Sequence, residues 1–351
     1  MDVKNLFKIA AEAKASDLHL LVGQPPIIRI DGELVTVNSV WSGKEFYGPM
    51  SVTDLTVVTE LLLDKEQRAR LIKEKDLDCS YAINGVRFRV NLSYEKNNLC
   101  VVARVIEEKK PTLEEIGMPD IIKDLLDQPQ GLILITGPTG CGKSTTLAAM
   151  VNHINSTRSC HIVTLEDPIE YIFTSDKSLV AQRQLGSDVS SFASGLKHVL
   201  RQDPNVIMVG EMRDLETISA AITLAETGHL VLATLHTYNA VQTVDRIIDI
   251  FPPHQQAQVK SQLSMLLSAV ISQRLLPRIS GGRVAARELL IRNSAVANLI
   301  REGKISQLKS VMEMNSRNGM VTLDSHLKEL YKAGEISKET MTTYLEDSEA
   351  I

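Results

Sequence analysis

The stretch Gly137–Thr146, GPTGCGKSTT, decides how the rest of the chain is read. From Gly137 to Ser144 it fits G-x-x-x-x-G-K-[ST], with the apolar run GLILIT before it and the helical pattern LAAMVNHIN after it. A glycine-rich turn from strand to helix lets backbone N–H groups face inward around an anion, and the helix N-terminus adds positive potential. Gly137, Pro138, Thr139, Gly140, Cys141, Gly142, Lys143, Ser144 and Thr145 therefore read as a cradle for nucleotide phosphates. Within it Lys143 reaches the β- and γ-phosphates and Ser144 ligates Mg²⁺, so ATP and Mg²⁺ are the expected ligands.

Outward from the loop, short apolar strands alternate with helices. HIVTLED, VIMVG and HLVLATLH read as buried strands, and SFASGLKHVLRQ and DLETISAAITLAETG as helices. That alternation implies an α/β fold with a parallel sheet covered on both faces, over residues 121–293. From SAVANLIREGK onward, residues 294–351, the chain reads as helical. Before the loop, EEKKPTLEEIGMPD at 107–120 is charged, has two prolines and no clean period, and reads as a linker. Residues 1–106 read as a separate α+β domain. It has an amphipathic first helix, strands in DLHLLVG and PIIRIDGELVTV, and one or two helices in VTDLTVVTELLLDKEQRARLIKEK. Three further strands follow in LDCSYAI, VRFRVNLSYE and LCVVARVI, with hairpin turns at Asp31-Gly32 and Asn84-Gly85. The loop WSGKEFYGPMS belongs to an Asn38–Ser51 insertion whose role the sequence does not disclose.

The composition narrows the classes. A length of 351 residues favours two domains, and 44% hydrophobic with 23% charged residues is an ordinary globular balance. The net charge of −5 speaks against a chain coated for nucleic acid. Four scattered cysteines form no C-x-x-C pair, so neither a zinc ribbon nor a disulfide scaffold is expected. The charged N-terminus does not read as a signal peptide, and no apolar run approaches the roughly 20 residues of a membrane span. A cytoplasmic protein is expected.

Hydrolysis needs more than binding. In an open parallel sheet the ligand lies beyond the carboxyl ends of the strands. One strand delivers Glu166 and Asp167 there, with Glu170 three residues on, and another ends in Gly210-Glu211. Glu211 is the candidate to hold Mg²⁺ through water, and Glu170 or Glu166 the candidate to orient an attacking water, although surface acids also end strands for no catalytic reason. The usual pattern puts aspartate at the Gly210 position, so here the acid is shifted by one. His236 follows its strand on the nucleotide side and is placed to sense the γ-phosphate. His229, seven residues earlier and so roughly 23 Å away, reads as an interface or structural residue. In the first domain, alternation puts Arg87 and Arg89 on one face, where Arg104 can join them. Cys141, at a helix N-terminus beside Lys143, is expected to have a lowered pKa and to label selectively unless ATP protects it. The plain alternative is a small residue standing in for serine.

These residues carry a likeness. ASDLHL, GPTGCGKSTTLAAM, LEDPIEY, DPNVIMVGEMRDLETI, AETGHLVLATLHT, DRIIDIFP, GGRVAARELL and NLIREGK resemble, in order and spacing over almost the full length, the PilT family. These are the hexameric retraction ATPases of type IV pili, which drive twitching motility, within the secretion ATPase superfamily. The resemblance implies a PAS-like first domain, a RecA-like P-loop second domain and a homohexamer packed first domain to neighbouring ATPase domain. It also implies an inner-membrane platform protein as partner, pilin as the indirect one, and peripheral placement at the cytoplasmic face of the inner membrane. By the same resemblance Glu170 is the water-orienting base and Glu211 the Walker B acid, while Arg89 and Arg104 act across an interface. Cys141 in place of serine, Asn205 in place of aspartate and HTYNA in place of HTTSA are modest departures. Extension and type II secretion motors share the individual boxes and are the nearest rivals. A nucleotide-gated ring with little hydrolysis is the rival from another class.

Overall fold

The computed structural model describes residues 3–30, 32–41, 43, 46–83, 86–106 and 109–345, which fall into two compact units, 1–109 and 110–351. In chain order the first unit holds α1 (Val3–Glu12), β1 (Asp17–Leu21), β2 (Ile27–Ile30), β3 (Glu33–Thr36), α2 (Val37–Val40), α3 (Val52–Leu62), α4 (Lys65–Glu74), β4 (Asp76–Ile83), β5 (Val86–Glu95) and β6 (Asn98–Ile106). The second holds α5 (Ile121–Leu126), β7 (Gly131–Thr136), α6 (Lys143–Thr157), β8 (His161–Glu166), β9 (Leu179–Gln184), α7 (Phe192–Val199), β10 (Val206–Val209), α8 (Leu215–Glu226), β11 (Leu230–Leu235), α9 (Ala240–Asp249), α10 (Pro253–Leu266), β12 (Leu267–Pro277), β13 (Arg283–Ile291), α11 (Ser294–Glu302), α12 (Leu308–Met314), α13 (Leu323–Lys332) and α14 (Lys338–Tyr344).

The first unit is an antiparallel sheet in the order β3-β2-β1-β6-β5-β4, with helices over one face. Its pleat sorts the residues. Phe88, Val90 and Leu92 of β5 are buried with Leu6, Phe7 and Ile9 of α1, while Arg87 and Arg89 take the alternate positions. The ring of Phe7 meets those of Phe88 and Tyr81 edge-on at 5.1 Å. The long helical pattern divides at Asp64, whose side chain accepts from the Gln67 N–H in a capping box that starts α4. Within the Asn38–Ser51 insertion Tyr47 is buried, its hydroxyl accepting from Asn5 at 2.8 Å. Ser42, Lys44 and Glu45 of that insertion lie outside the described residues, as do Asp31, Asn84 and Gly85 of the two expected hairpin turns.

The second sheet runs β13-β12-β7-β11-β10-β8-β9, parallel except for β13. Strands β7, β10 and β11 are buried throughout, because helices cover both faces. Ile133 and Ile135 face α6 through Leu147, Met150 and Val151, whereas Leu132 and Leu134 face the core shared with α8 and α9. Truncating one such isoleucine to alanine removes about 2–5 kcal/mol. Residues 110–120, read from the sequence as linker, carry Leu113 and Met118 into this unit's core. Strands β9, β12 and β13 are additions to the sequence reading.

Candidate functional site

Strand β7 delivers Gly137 to the edge of the sheet at a φ of +142°, where a methyl group would lie 2.3 Å from the Gln273 carbonyl oxygen and 2.6 Å from Cys141 Sγ. Only glycine fits that approach, so the loop turns tightly against β12. Helix α6 begins at Lys143 after Gly142, which has no side chain to cap it, so the positive end of the helix is offered to an incoming anion. Lys143 Nζ curls onto its own loop, donating to the carbonyls of Gly137 at 2.8 Å and Pro138 at 3.0 Å. Burial pulls its pKa down, and the charge of Glu211 only partly opposes that. The Thr145 hydroxyl lies 3.3 Å from that of Tyr171, and Ser144 is half-buried on the same turn.

The two acid-bearing strand ends differ. Glu166 is buried, its carboxylate accepting from Thr164 Oγ1 at 2.6 Å and Gln182 Nε2 at 3.1 Å. Burial raises its pKa, against the pull of those bonds and of the Glu170 N–H. Gln182 also donates to the Tyr171 carbonyl at 2.8 Å, so Glu166 is built into the turn that follows β8, while Glu170 on that turn is exposed. Beyond β10, the Gly210 N–H donates to the Leu165 carbonyl at 2.8 Å, and a Cβ there would sit 3.2 Å from the same oxygen. An aspartate at 210 would crowd β8, which gives the one-residue shift of the acid a physical reason. Glu211 Oε2 lies 2.8 Å from Arg213 Nε and 3.3 Å from His236 Nε2. The carboxyl ends of β10 and β11 thus bring Glu211 and His236 together. His229 sits at the other end of β11, its Nδ1 against the Leu224 carbonyl at 2.9 Å.

In the first unit Arg89 and Arg104 stand directly opposite each other on β5 and β6. Arg104 Nε donates to Asp17 Oδ1 at 2.9 Å. Burial alone would raise the Asp17 pKa, but hydrogen bonds from Ser16 and Arg104 outweigh it, and the net shift is downward.

The expectation for Cys141 is corrected. The residue is only 3% exposed, and burial raises its pKa despite the nearby Lys143 charge and the helix N–H groups. Loss of water around the sulfur exceeds the attraction that the sequence suggested.

Three polar side chains of this region escaped the sequence reading: Gln182 under Glu166, Gln273 under the loop, and Glu288, whose Oε1 accepts from the Ala240 N–H at 2.7 Å to start α9. Alternation in LVAQRQ and the three polar residues set in the apolar run AVISQRLL were the available signals.

Residues 3–342 match the family described as Type II/IV secretion system protein. The type IV pilus retraction ATPase PilT of Pseudomonas aeruginosa is 45% identical over 340 residues, 97% of this chain and 96% of that protein. The twitching motility protein of Neisseria gonorrhoeae is 46% identical over 328 residues, 93% of this chain and 86% of that one. A crystal structure of the pilus retraction motor PilT with bound ADP aligns at a TM-score of 0.93 and 44% identity, covering 100% of this chain and 99% of that one.

Proposed function

The chain belongs to the Type II/IV secretion system protein family, and from that premise we propose how its site works. It is a P-loop ATPase, a motor of the PilT type that powers type IV pilus retraction and twitching motility. Its first unit is the N-terminal PAS-like domain, its second the RecA-like ATPase domain with a helical tail. The observation that carries the hydrolytic reading is the placement of Glu211 and Glu170 just beyond the carboxyl ends of β10 and β8, the sheet edge from which the phosphate loop springs.

The loop fits a polyphosphate: Gly137 leaves no room for a side chain, and the residue that caps α6 is Gly142, which offers none. A hydroxyl at Ser144 and a carboxylate at Glu211 are hard oxygen donors. Among the described residues no cluster of three or more His, Cys, Asp or Glu could hold a metal alone, which fits a cation shared with the nucleotide's phosphates. Bound with ATP, Mg²⁺ supplies positive charge at the β- and γ-phosphates.

Residues 137–145 wrap the phosphates, and Lys143 exchanges its two loop carbonyls for phosphate oxygens. Glu170, exposed on its turn, orients the attacking water and takes its proton, while Glu166 holds that turn in place. His236, linked to Glu211, reports the γ-phosphate to the segment leading into α9. Arg89 and Arg104 act on a neighbour's nucleotide in a homohexamer. The net charge gives no support for a nucleic-acid partner. No helix among the described residues is long and apolar enough to cross a membrane, and the motor works on a platform protein at the cytoplasmic face of the inner membrane. Two measurements test the reading. The purified protein turns over ATP only with Mg²⁺, and cells lacking it carry pili that extend without shortening. Pili that never extend would instead make it an extension motor.

A further inference from the structure

Gln273 lies in the middle of β12 and is 1% exposed. An amide buried so deeply in an apolar run persists only where both of its ends find partners. Here both partners belong to the phosphate loop and its helix. Nε2 donates to the Cys141 carbonyl at 2.8 Å, and Oε1 accepts from the Thr146 hydroxyl at 2.9 Å. The main-chain carbonyl of the same residue is what excludes a methyl group at Gly137. One residue of a neighbouring strand thus touches the first residue of the loop, its crown and the first turn of α6. Its neighbour Ser272 shares a 2.8 Å hydrogen bond with Thr136, the last residue of β7, so β12 braces the loop from its start.

We propose that Gln273 is a positioning residue for nucleotide binding, acting by setting the orientation of the Cys141–Gly142 peptide in the phosphate loop. A trans peptide is planar, with its C=O and N–H pointing in opposite directions. Holding the Cys141 carbonyl toward β12 turns the Gly142 N–H away from β12 and onto the phosphates. The bond to Thr146 fixes the same amide at its other end, so it cannot rotate to release the carbonyl. The loop is then ordered before the nucleotide arrives, and binding does not have to supply that ordering.

The inference rests on the nucleotide-binding reading, and the experiment separates the two. Mg-ADP is titrated calorimetrically into the full-length protein and its Q273L, T146V and double variants, alongside ATP turnover and thermal melting. Q273L removes two hydrogen bonds, each contributing roughly two- to tenfold, so Mg-ADP binding weakens on the order of tenfold and KM for ATP rises in step. The value of kcat changes less, because the cradle holds ground and transition states alike. T146V weakens binding about threefold alone and adds nothing in the Q273L background, because the two share one bond. Q273E, which keeps the acceptor for Thr146 and loses the donor to Cys141, weakens binding as well, and it carries the test if Q273L does not fold. Variants that melt lower yet bind Mg-ADP within twofold of wild type would reduce Gln273 to a core amide. So would Q273L and T146V effects that multiply. A wild-type chain that binds no Mg-ADP overturns the nucleotide reading itself.

Discussion

In the first unit's sheet charged side chains stand along the strands: Asp17 on β1, Arg29 on β2, Arg87 and Arg89 on β5, Arg104 on β6. In the second unit's sheet β7, β10 and β11 carry none, and the acids Glu170 and Glu211 come only after a strand has ended. The cause is how many faces each sheet covers. A sheet with one packed face can alternate apolar and charged residues, so its charges spread over a surface. Strands packed on both faces, as β7, β10 and β11 are, have no room for charge along their length, so the chemistry around them collects at their carboxyl ends. The first arrangement suits recognition by another surface, and the second suits concentrating several groups on one small ligand.

That contrast predicts variants with separable effects. The largest belongs to the crowded edge: Glu211→Ala and Glu170→Ala should each lower turnover on the order of 100-fold, about 3 kcal/mol, because positioned charge supplies most phosphoryl-transfer catalysis. Melting temperature should stay near that of wild type in both variants, and Mg-ADP binding in Glu170→Ala; near-normal turnover in both variants would break the assignment. On the spread surface, Arg89→Ala should slow hydrolysis without lowering the melting temperature. Mixed with Lys143→Ala chains it should regain activity at interfaces that pair an intact arginine with an intact loop. Mixed rings that remain inactive would show that this surface does no chemistry in trans.

A smaller effect should appear in stability. The folded Asp17 carboxyl is held below its ordinary value of 3.8, so it stabilises the first unit above the unfolded pKa and loses that contribution as pH falls through the folded one. Asp17→Asn should cost on the order of 1 kcal/mol at neutral pH, with Arg104 screened by water. The gap to wild type should close below about pH 4, and a gap that is flat with pH would mean the ion pair contributes nothing. The smallest effect separates the thiols. Cys160, half-buried, should react with maleimide before Cys141, which is 3% exposed, and before Cys79, whose thiol burial pushes up to about 12. Rapid labelling of Cys141 would mean the phosphate loop opens far more than its packing suggests.

The elements around the phosphate loop were readable because each signal was local. β7, β8, β10 and β11 are short apolar runs between turn residues, and Ser191 and Asp214 announce the helices that follow by capping them. β12 was not readable, because α10 passes into it at Leu266–Leu267 with no glycine or proline between them. The same apolar run serves first as helix and then as strand, and only the empty place beside β7 decides where it changes. Gln273 was hidden with its strand. The difference between Glu166 and Glu170 was hidden for another reason: two glutamates four residues apart look alike until Thr164 and Gln182 close around one of them. The acidity expected of Cys141 came from near neighbours in sequence, whereas its burial comes from how the loop folds back on Gly137 and against Gln273 of β12.

The β12–β13 hairpin bears on how such a chain can diverge. Ser272 stands opposite Glu288 and Gln273 opposite Arg287, so one face of the ribbon braces the strand end and α9 while the other braces the phosphate loop and, through Arg287, the carbonyls of Ile116 and Gly117. Inserting or deleting a single residue between Ala269, where the irregularity at 267–269 ends, and Ser272 would exchange the two faces at 272 and 273 and undo these contacts together. Residues 278–282 form the tip, where Ile279 is 64% exposed, and Glu335 holds its start, its carbonyl accepting from the Ile279 N–H at 2.9 Å and its carboxylate pairing with Arg278 at 2.6 Å. Descendants of this sequence can decorate the exposed turn beyond Ile279, while the strand behind it is fixed in length.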